Sequence, residues 1–263
     1  MILIEAILHK PDEHVRYSEY GAGQELLLAF HGYGMNGLQF EALPRAITSQ
    51  YRVIGFHLPY HKYGASSHNL WLEKLPMVIN ELMEAYEAPH FSLMGYSVGA
   101  KIALHILQLQ TAHVKKVHLI APYGLETHWG LDFVTGKVGN SLFQAVLNSK
   151  LPLLTMRLAK SVSIIDQDMF MIIAKELAST EKRQALCNTL EMIGEIELSR
   201  ATIVQLLNDH AIPLQVYYGT HDSLFPYKGR NQRLLKKIEQ CIVVPVNAGH
   251  WLVTQQLDEK MAL

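Results

Sequence analysis

The chain has 263 residues, 49% of them hydrophobic, with 23 basic against 24 acidic residues and a formal net charge of -1. A chain of this length buries a sizeable apolar core, as one large α/β domain or a core with one inserted subdomain, and its charge balance argues against nucleic acid or an anionic membrane as the main partner. Its two cysteines, Cys187 and Cys241, lie far apart in apolar surroundings, with neither a C-x-x-C neighbour nor a zinc-type histidine spacing, which reads as free thiols in a reducing, cytoplasmic compartment.

The first apolar stretch, over 2–8, contains an acid and has no basic start and no small-residue cleavage site, so a strand is expected there and not a signal peptide. With 15–20 it makes a hairpin across the turn-rich Lys10-Pro11-Asp12-Glu13, at the antiparallel edge of a sheet. The segment 25–30 is short and continuously apolar after its first residue, the pattern of a strand buried on both faces; it runs into His31-Gly32-Tyr33-Gly34. A helix over 38–49 and a strand over 51–56 complete the next βα pair. Beyond a polar, aromatic loop starting at His57, a helix is expected from Asn69 to about Tyr86, with Leu72, Leu75, Val78, Ile79 and Leu82 on one face.

The apolar run starting at Phe91 breaks at Gly95-Tyr96-Ser97-Val98-Gly99 and restarts as a helix to about Gln110. A serine on such a bend is held in a strained conformation with its hydroxyl in the open, while the glycines let helix and strand approach. The segment 116–120 is one more buried strand, and the alternation of strand and helix predicts a parallel sheet with right-handed crossovers. From Gly124 to about His210 the alternation stops. Helical patterns recur near 139–149, 152–161, 167–178, 181–193 and 199–208, with no convincing strand. An all-helical cap over 124–210 is expected, inserted into a core made of 1–123 and 211–263. Strands return over 213–218 and 241–246 around a helix over 227–239, for eight strands in all. No window offers 18 uncharged apolar residues, so no membrane span is expected.

A serine hydroxyl needs a base before it attacks a carbonyl, and the base needs an orienting acid. In a parallel sheet both belong on loops at the C-terminal ends of strands. Such loops exist: Gly219-Thr220-His221-Asp222, closed by Pro226, and Asn247-Ala248-Gly249-His250. At these residues the sequence resembles the α/β-hydrolase superfamily over nearly its whole length, most closely the small capped carboxylesterases and lipase-like serine hydrolases. His31-Gly32-Tyr33-Gly34 is similar to the oxyanion loop, Gly95 to Gly99 to the nucleophile elbow, Gly219 to Asp222 to the acid loop, and Gly249-His250 to the histidine loop. The resemblance implies a mostly parallel eight-stranded α/β sheet with helices on both faces and an inserted helical cap. It also implies Ser97 as nucleophile, His250 as general base and then acid, Asp222 as orienting acid, and the backbone N–H groups of Tyr33 and Val98 as oxyanion hole, with no metal or organic cofactor. The chain departs from the family at His57-Leu58-Pro59-Tyr60-His61, where an aspartate is common; that change bears on substrate more than on catalysis.

The expected reaction is hydrolysis of a small carboxylic ester or thioester through an acyl-enzyme. Hydrolysis of a C–C bond beside a ketone, and ligand binding without turnover, are the alternatives on the same fold. Glu126 and Asp132 are rival acids, His31 and His221 read as loop supports, and Met156, Met169, Met171 and Met192 read as core packing or as an adaptable acyl pocket. Between Phe133 and Ile165 the chain carries Lys137, Lys150, Arg157 and Lys160 and no acid. That stretch reads as solvated charge, as a holder for the carboxylate of a diacid monoester, or as a patch that steers an acyl group delivered on an acidic carrier protein.

Overall fold

The computed structural model describes residues 7–9, 15–43, 45–125, 129–149, 157, 160, 167–177 and 179–252. Eight strands form one sheet in the order β1-β2-β4-β3-β5-β6-β7-β8, with β1 at Ile7–His9, β2 at Arg16–Tyr20, β3 at Glu25–Phe30, β4 at Tyr51–His57, β5 at Phe91–Tyr96, β6 at Val114–Ile120, β7 at Leu214–Gly219 and β8 at Cys241–Val246. β1 pairs antiparallel with β2, and β2 with β4. The remaining pairings are parallel. All six residues of β5, Ser92 included, are buried, as a strand in the middle of a sheet covered on both faces requires.

The position of β3 sets the location of the site. From β3 the chain crosses to β4 on one side, then returns to β5 on the other side of β3. Loops that leave neighbouring strands in opposite directions open a crevice at their carboxyl ends. Phe30 pairs with Gly95, so His31 and Ser97 emerge side by side there. α3 (Val98–Gln110) packs against β5 and β3.

Helices precede and follow this core as their patterns direct, with four differences. The expected helix over 38–49 is a 3-10 turn, Gly37–Ala42, followed by α1, Arg45–Gln50. Leu43 between them is extended at φ -62° and ψ 145°, the conformation favoured by a residue that precedes a proline, here Pro44. On α2 (Asn69–Ala85) Trp71 is fully buried with Leu75, Val78, Ile79 and Leu82, whereas Leu72 is partly buried. The helix expected over 227–239 is shorter, α9, Arg230–Leu235, and it starts late because Gly229 before it adopts φ 61°. Between β6 and β7, the described part of 124–210 is helical: α4 (Trp129–Thr135), which no sequence pattern announced, then α5 (Lys137–Leu147), α6 (Gln167–Glu176), α7 (Thr180–Glu195) and α8 (Arg200–Asp209). Ser179 and Ser199 cap α7 and α8 by accepting the Lys182 and Thr202 N–H groups. The strand reading over 2–6, the turn at 10–13 and most of the 152–161 helix fall outside the described residues. Among the described residues, no helix is long and apolar enough to cross a membrane.

Three core histidines are held neutral. Burial pushes His31 well below 6.5, His57 to about 4 and His118 to about 3. His118 on β6 is buried with no hydrogen-bond partner on either ring nitrogen among the described residues, and its ring meets that of Tyr51 edge-on at 6.5 Å. Its unfolded pKa lies above its folded pKa, so the unfolded chain binds a proton that the fold excludes. Stability from this group is complete above pH 6.5 and falls as the pH drops towards 3. His118→Leu is therefore expected to match or exceed the wild type at pH 7 and to gain on it by about 2 kcal/mol between pH 7 and pH 5. Urea unfolding at the two pH values measures this; parallel pH dependence in both proteins would refute it.

Candidate active site

Ser97 lies between β5 and α3 with φ 52° and ψ -119°. A positive φ costs a residue with a Cβ of order 1–3 kcal/mol, and the surrounding backbone enforces it. The Ser97 N–H donates to the Ile120 carbonyl at 2.9 Å, and its own carbonyl accepts from the Ala100 and Tyr123 N–H groups at 3.0 and 3.1 Å. The flanking glycines answer to space. A Cβ on Gly99 would lie 2.2 Å from the Phe30 carbonyl oxygen, and one on Gly95 would lie 2.4 Å from Ala100 Cα.

The Ser97 side chain makes no capping bond to its own helix. Its Oγ lies 3.1 Å from His250 Nε2, and His250 Nδ1 lies 3.0 Å from Asp222 Oδ2. An ionised carboxylate only accepts, so Nδ1 carries the proton and Nε2 turns its lone pair to the serine hydroxyl. The other Asp222 oxygen accepts the Leu224 and Phe225 N–H groups at 2.9 and 3.0 Å. All three side chains are buried, and the Tyr96 hydroxyl steadies the histidine loop by donating to the His250 carbonyl at 2.8 Å. Of the rival acids, Asp132 accepts from the Tyr123 hydroxyl at 3.1 Å and Glu126 lies outside the described residues. His221 Nε2 meets Asn247 Oδ1 at 3.1 Å, linking the acid and histidine loops.

The loop after β3 passes directly beside Ser97: a Cβ on Gly32 would lie 3.4 Å from Ser97 Cβ. His31 shapes it. Its Nε2 accepts the Leu58 N–H at 3.0 Å, which leaves Nδ1 to donate to the Gly32 carbonyl at 2.8 Å. Tyr33 and Val98, the expected oxyanion donors, thus sit on the two backbone segments that meet at Ser97. The positive end of the α3 dipole points there as well. The His57 to His61 segment that departs from the family pattern is structural in part: His57 Nδ1 accepts the Gly37 N–H at 3.1 Å, while Nε2 bonds Ser18 Oγ at 2.9 Å.

Several residues near the site carried no sequence signal, because their partners are distant in the chain. Lys101, one turn along α3 from Ser97, donates to the Ile193 carbonyl of α7 at 2.6 Å, and burial lowers its pKa to about 8. His68 Nε2 lies 2.9 Å from Glu195 Oε2, at the end of α7. The end of α6 reaches both sides of the crevice. Lys175 Nζ lies 5.3 Å over the ring of Trp251, the residue after His250, and the Glu176 carboxylate lies near the Tyr33 phenol, where it adds to burial in raising that group's pKa. Of the methionines, Met192 is fully buried and Met171 is exposed; Met156 lies outside the described residues, and nothing is described of the Met169 side chain. Among the described residues, no cluster of three His, Cys, Asp or Glu side chains is placed to hold a metal ion.

Comparison with known proteins agrees with this architecture. The sequence is 25% identical over 220 residues to a pimeloyl-[acyl-carrier protein] methyl ester esterase of Vibrio cholerae, covering 79% of this chain and 80% of that protein. The fold is similar to a thioesterase domain from the curacin biosynthetic pathway, with a TM-score of 0.62 at 18% identity over 98% of this chain and 97% of that one. It is also similar to a thermophilic esterase from Thermogutta terrifontis, with a TM-score of 0.65 at 14% identity over 98% and 95% of the two chains. The sequence model of the alpha/beta hydrolase fold matches residues 25–255, the whole span from β3 through the histidine loop, and the chain belongs to the α/β-hydrolase family.

Proposed function

We propose that the protein is a serine hydrolase that cleaves a small carboxylic ester or thioester through an acyl-enzyme on Ser97. The observation that carries this reading is the relay of Ser97 Oγ, His250 and Asp222, joined at 3.1 and 3.0 Å with the histidine tautomer set for proton uptake from the serine. His250 takes the Ser97 proton as Oγ bonds to the acyl carbon, and the Tyr33 and Val98 N–H groups hold the oxygen that gains the charge. His250 then gives its proton to the leaving oxygen or sulfur. Water enters, loses a proton to His250 as it bonds to the acyl carbon, and His250 returns that proton to Ser97 Oγ as the Oγ–acyl bond breaks and the acid departs. Asp222 stays ionised and keeps the ring in place.

In this reading 124–210 is a cap over a core of 1–123 and 211–263. Its support is α6, which touches the oxyanion loop through Glu176 and the histidine loop through Lys175. An ester is favoured over the C–C bond by the relatives named as esterases, which also make an acyl carrier a candidate partner. Of the basic stretch, Lys137, Arg157 and Lys160 are exposed, as docking of an acidic carrier requires; Lys150 lies outside the described residues.

A fluorophosphonate probe tests the reading. Labelling of the folded wild type that disappears in Ser97→Ala supports it, and a folded wild type that takes no label overturns it. With p-nitrophenyl esters of two to twelve carbons, the cap predicts preference for short to medium acyl chains. Activity that climbs steadily to the longest ester would remove the cap as a limit on chain length.

A further inference from the structure

We infer that Lys175 recognises an anionic group on the leaving half of the substrate, so that the preferred esters or thioesters have an alcohol or thiol bearing a carboxylate or phosphate. The inference rests on the serine-hydrolase reading and specifies the substrate of that same site. It starts from the direction of proton transfer. His250 must reach the leaving oxygen or sulfur, so the leaving half lies along the histidine loop. Trp251 is the next residue of that loop, its ring 6.4 Å from the imidazole and 46% exposed. The ammonium of Lys175 stands 5.3 Å over this ring. A cation over an aromatic face is attracted by the negative face of the ring and so is held there, and no acid among the described residues pairs with it. Among the described residues it is an unpaired charge beside the path of the leaving group.

The neighbouring residue gives the cleft a polarity. Glu176 follows Lys175 on α6 and lies near Tyr33, on the oxyanion-loop side. A carboxylate there repels an anion from that side while Lys175 attracts it to the other, so the two charges orient an asymmetric anionic substrate in one direction.

The test uses three esters on the wild type and on Lys175→Gln and Lys175→Arg. 4-Acetoxybenzoate and its methyl ester share the acetyl group and the phenolic leaving oxygen and differ by one negative charge in the leaving half; mono-4-nitrophenyl glutarate carries its charge in the acyl half. Comparing each ester between proteins cancels intrinsic reactivity. For an exposed, screened charge, Lys175→Gln is expected to lower kcat/KM for 4-acetoxybenzoate, relative to its methyl ester, by about two- to five-fold through KM. Lys175→Arg should retain the ratio, the wild-type ratio should shrink as salt passes about 0.15 M, and Lys182→Gln, at an exposed lysine on α7, should leave it intact. An unaltered ratio in Lys175→Gln overturns the inference, and so does an equal effect on the glutarate ester, which would mean general attraction of anions. If the wild type hydrolyses the neutral ester and the ratio does not move, the hydrolase reading stands and this one falls. If the wild type hydrolyses none of the three, both fall.

Discussion

Ser97→Ala and His250→Ala are each expected to lower kcat by about 10⁶-fold, and the double variant to be little worse than either. In the proposed relay the serine and histidine act as one unit. Without Nε2 at 3.1 Å the hydroxyl keeps its proton and attacks poorly, and without the hydroxyl the base has nothing to activate except water. Residual turnover of about 10³–10⁴ over water would then come from the oxyanion donors and substrate positioning. Both changes remove few contacts from a core of this size, so the melting temperature should move by only a few degrees. Steady-state kinetics of the two single variants and the double variant measure the effect. Loss that multiplies in the double variant would mean that the two residues serve separate steps, against the relay.

Asp222→Asn is expected to cost less, about 10⁴-fold in kcat. The amide oxygen and nitrogen replace two carboxylate oxygens of different duty. If the oxygen stays with the Leu224 and Phe225 N–H groups, the NH₂ faces His250 Nδ1 and forces the proton onto Nε2, where it blocks uptake of the Ser97 proton. Asp132→Asn should lie near the wild type, since Asp132 is engaged by the Tyr123 hydroxyl. A mild Asp222→Asn beside a crippled Asp132→Asn would reverse the assignment of the acid.

The local order of this chain was legible because each element satisfies a short-range requirement. β5 is an apolar run, interrupted only by Ser92, that breaks at Gly95, and both faces of its strand are covered. Gly95 and Gly99 sit where a Cβ would strike backbone, so the elbow had to be written in neighbouring residues. The same holds for the acid and histidine loops, because loops that follow parallel strands share an edge whatever the side chains do. Ser97, Asp222 and His250 could thus be named from their order, and the structure brings them within hydrogen-bond reach. Other features depended on partners far along the chain. Lys101 meets a carbonyl 92 residues away and His68 a carboxylate 127 residues away. The tautomer of His31 follows from the Leu58 N–H, 27 residues on. α4 is too short, and too rich in glycine and β-branched residues, for its pattern to stand out; it is helical where it packs on α5 and α7. Periodicity states which face of a helix is apolar but not what that face will meet. The placing of Lys175 over Trp251, beside the histidine, was therefore decided by tertiary packing, in which α6 lies against α7.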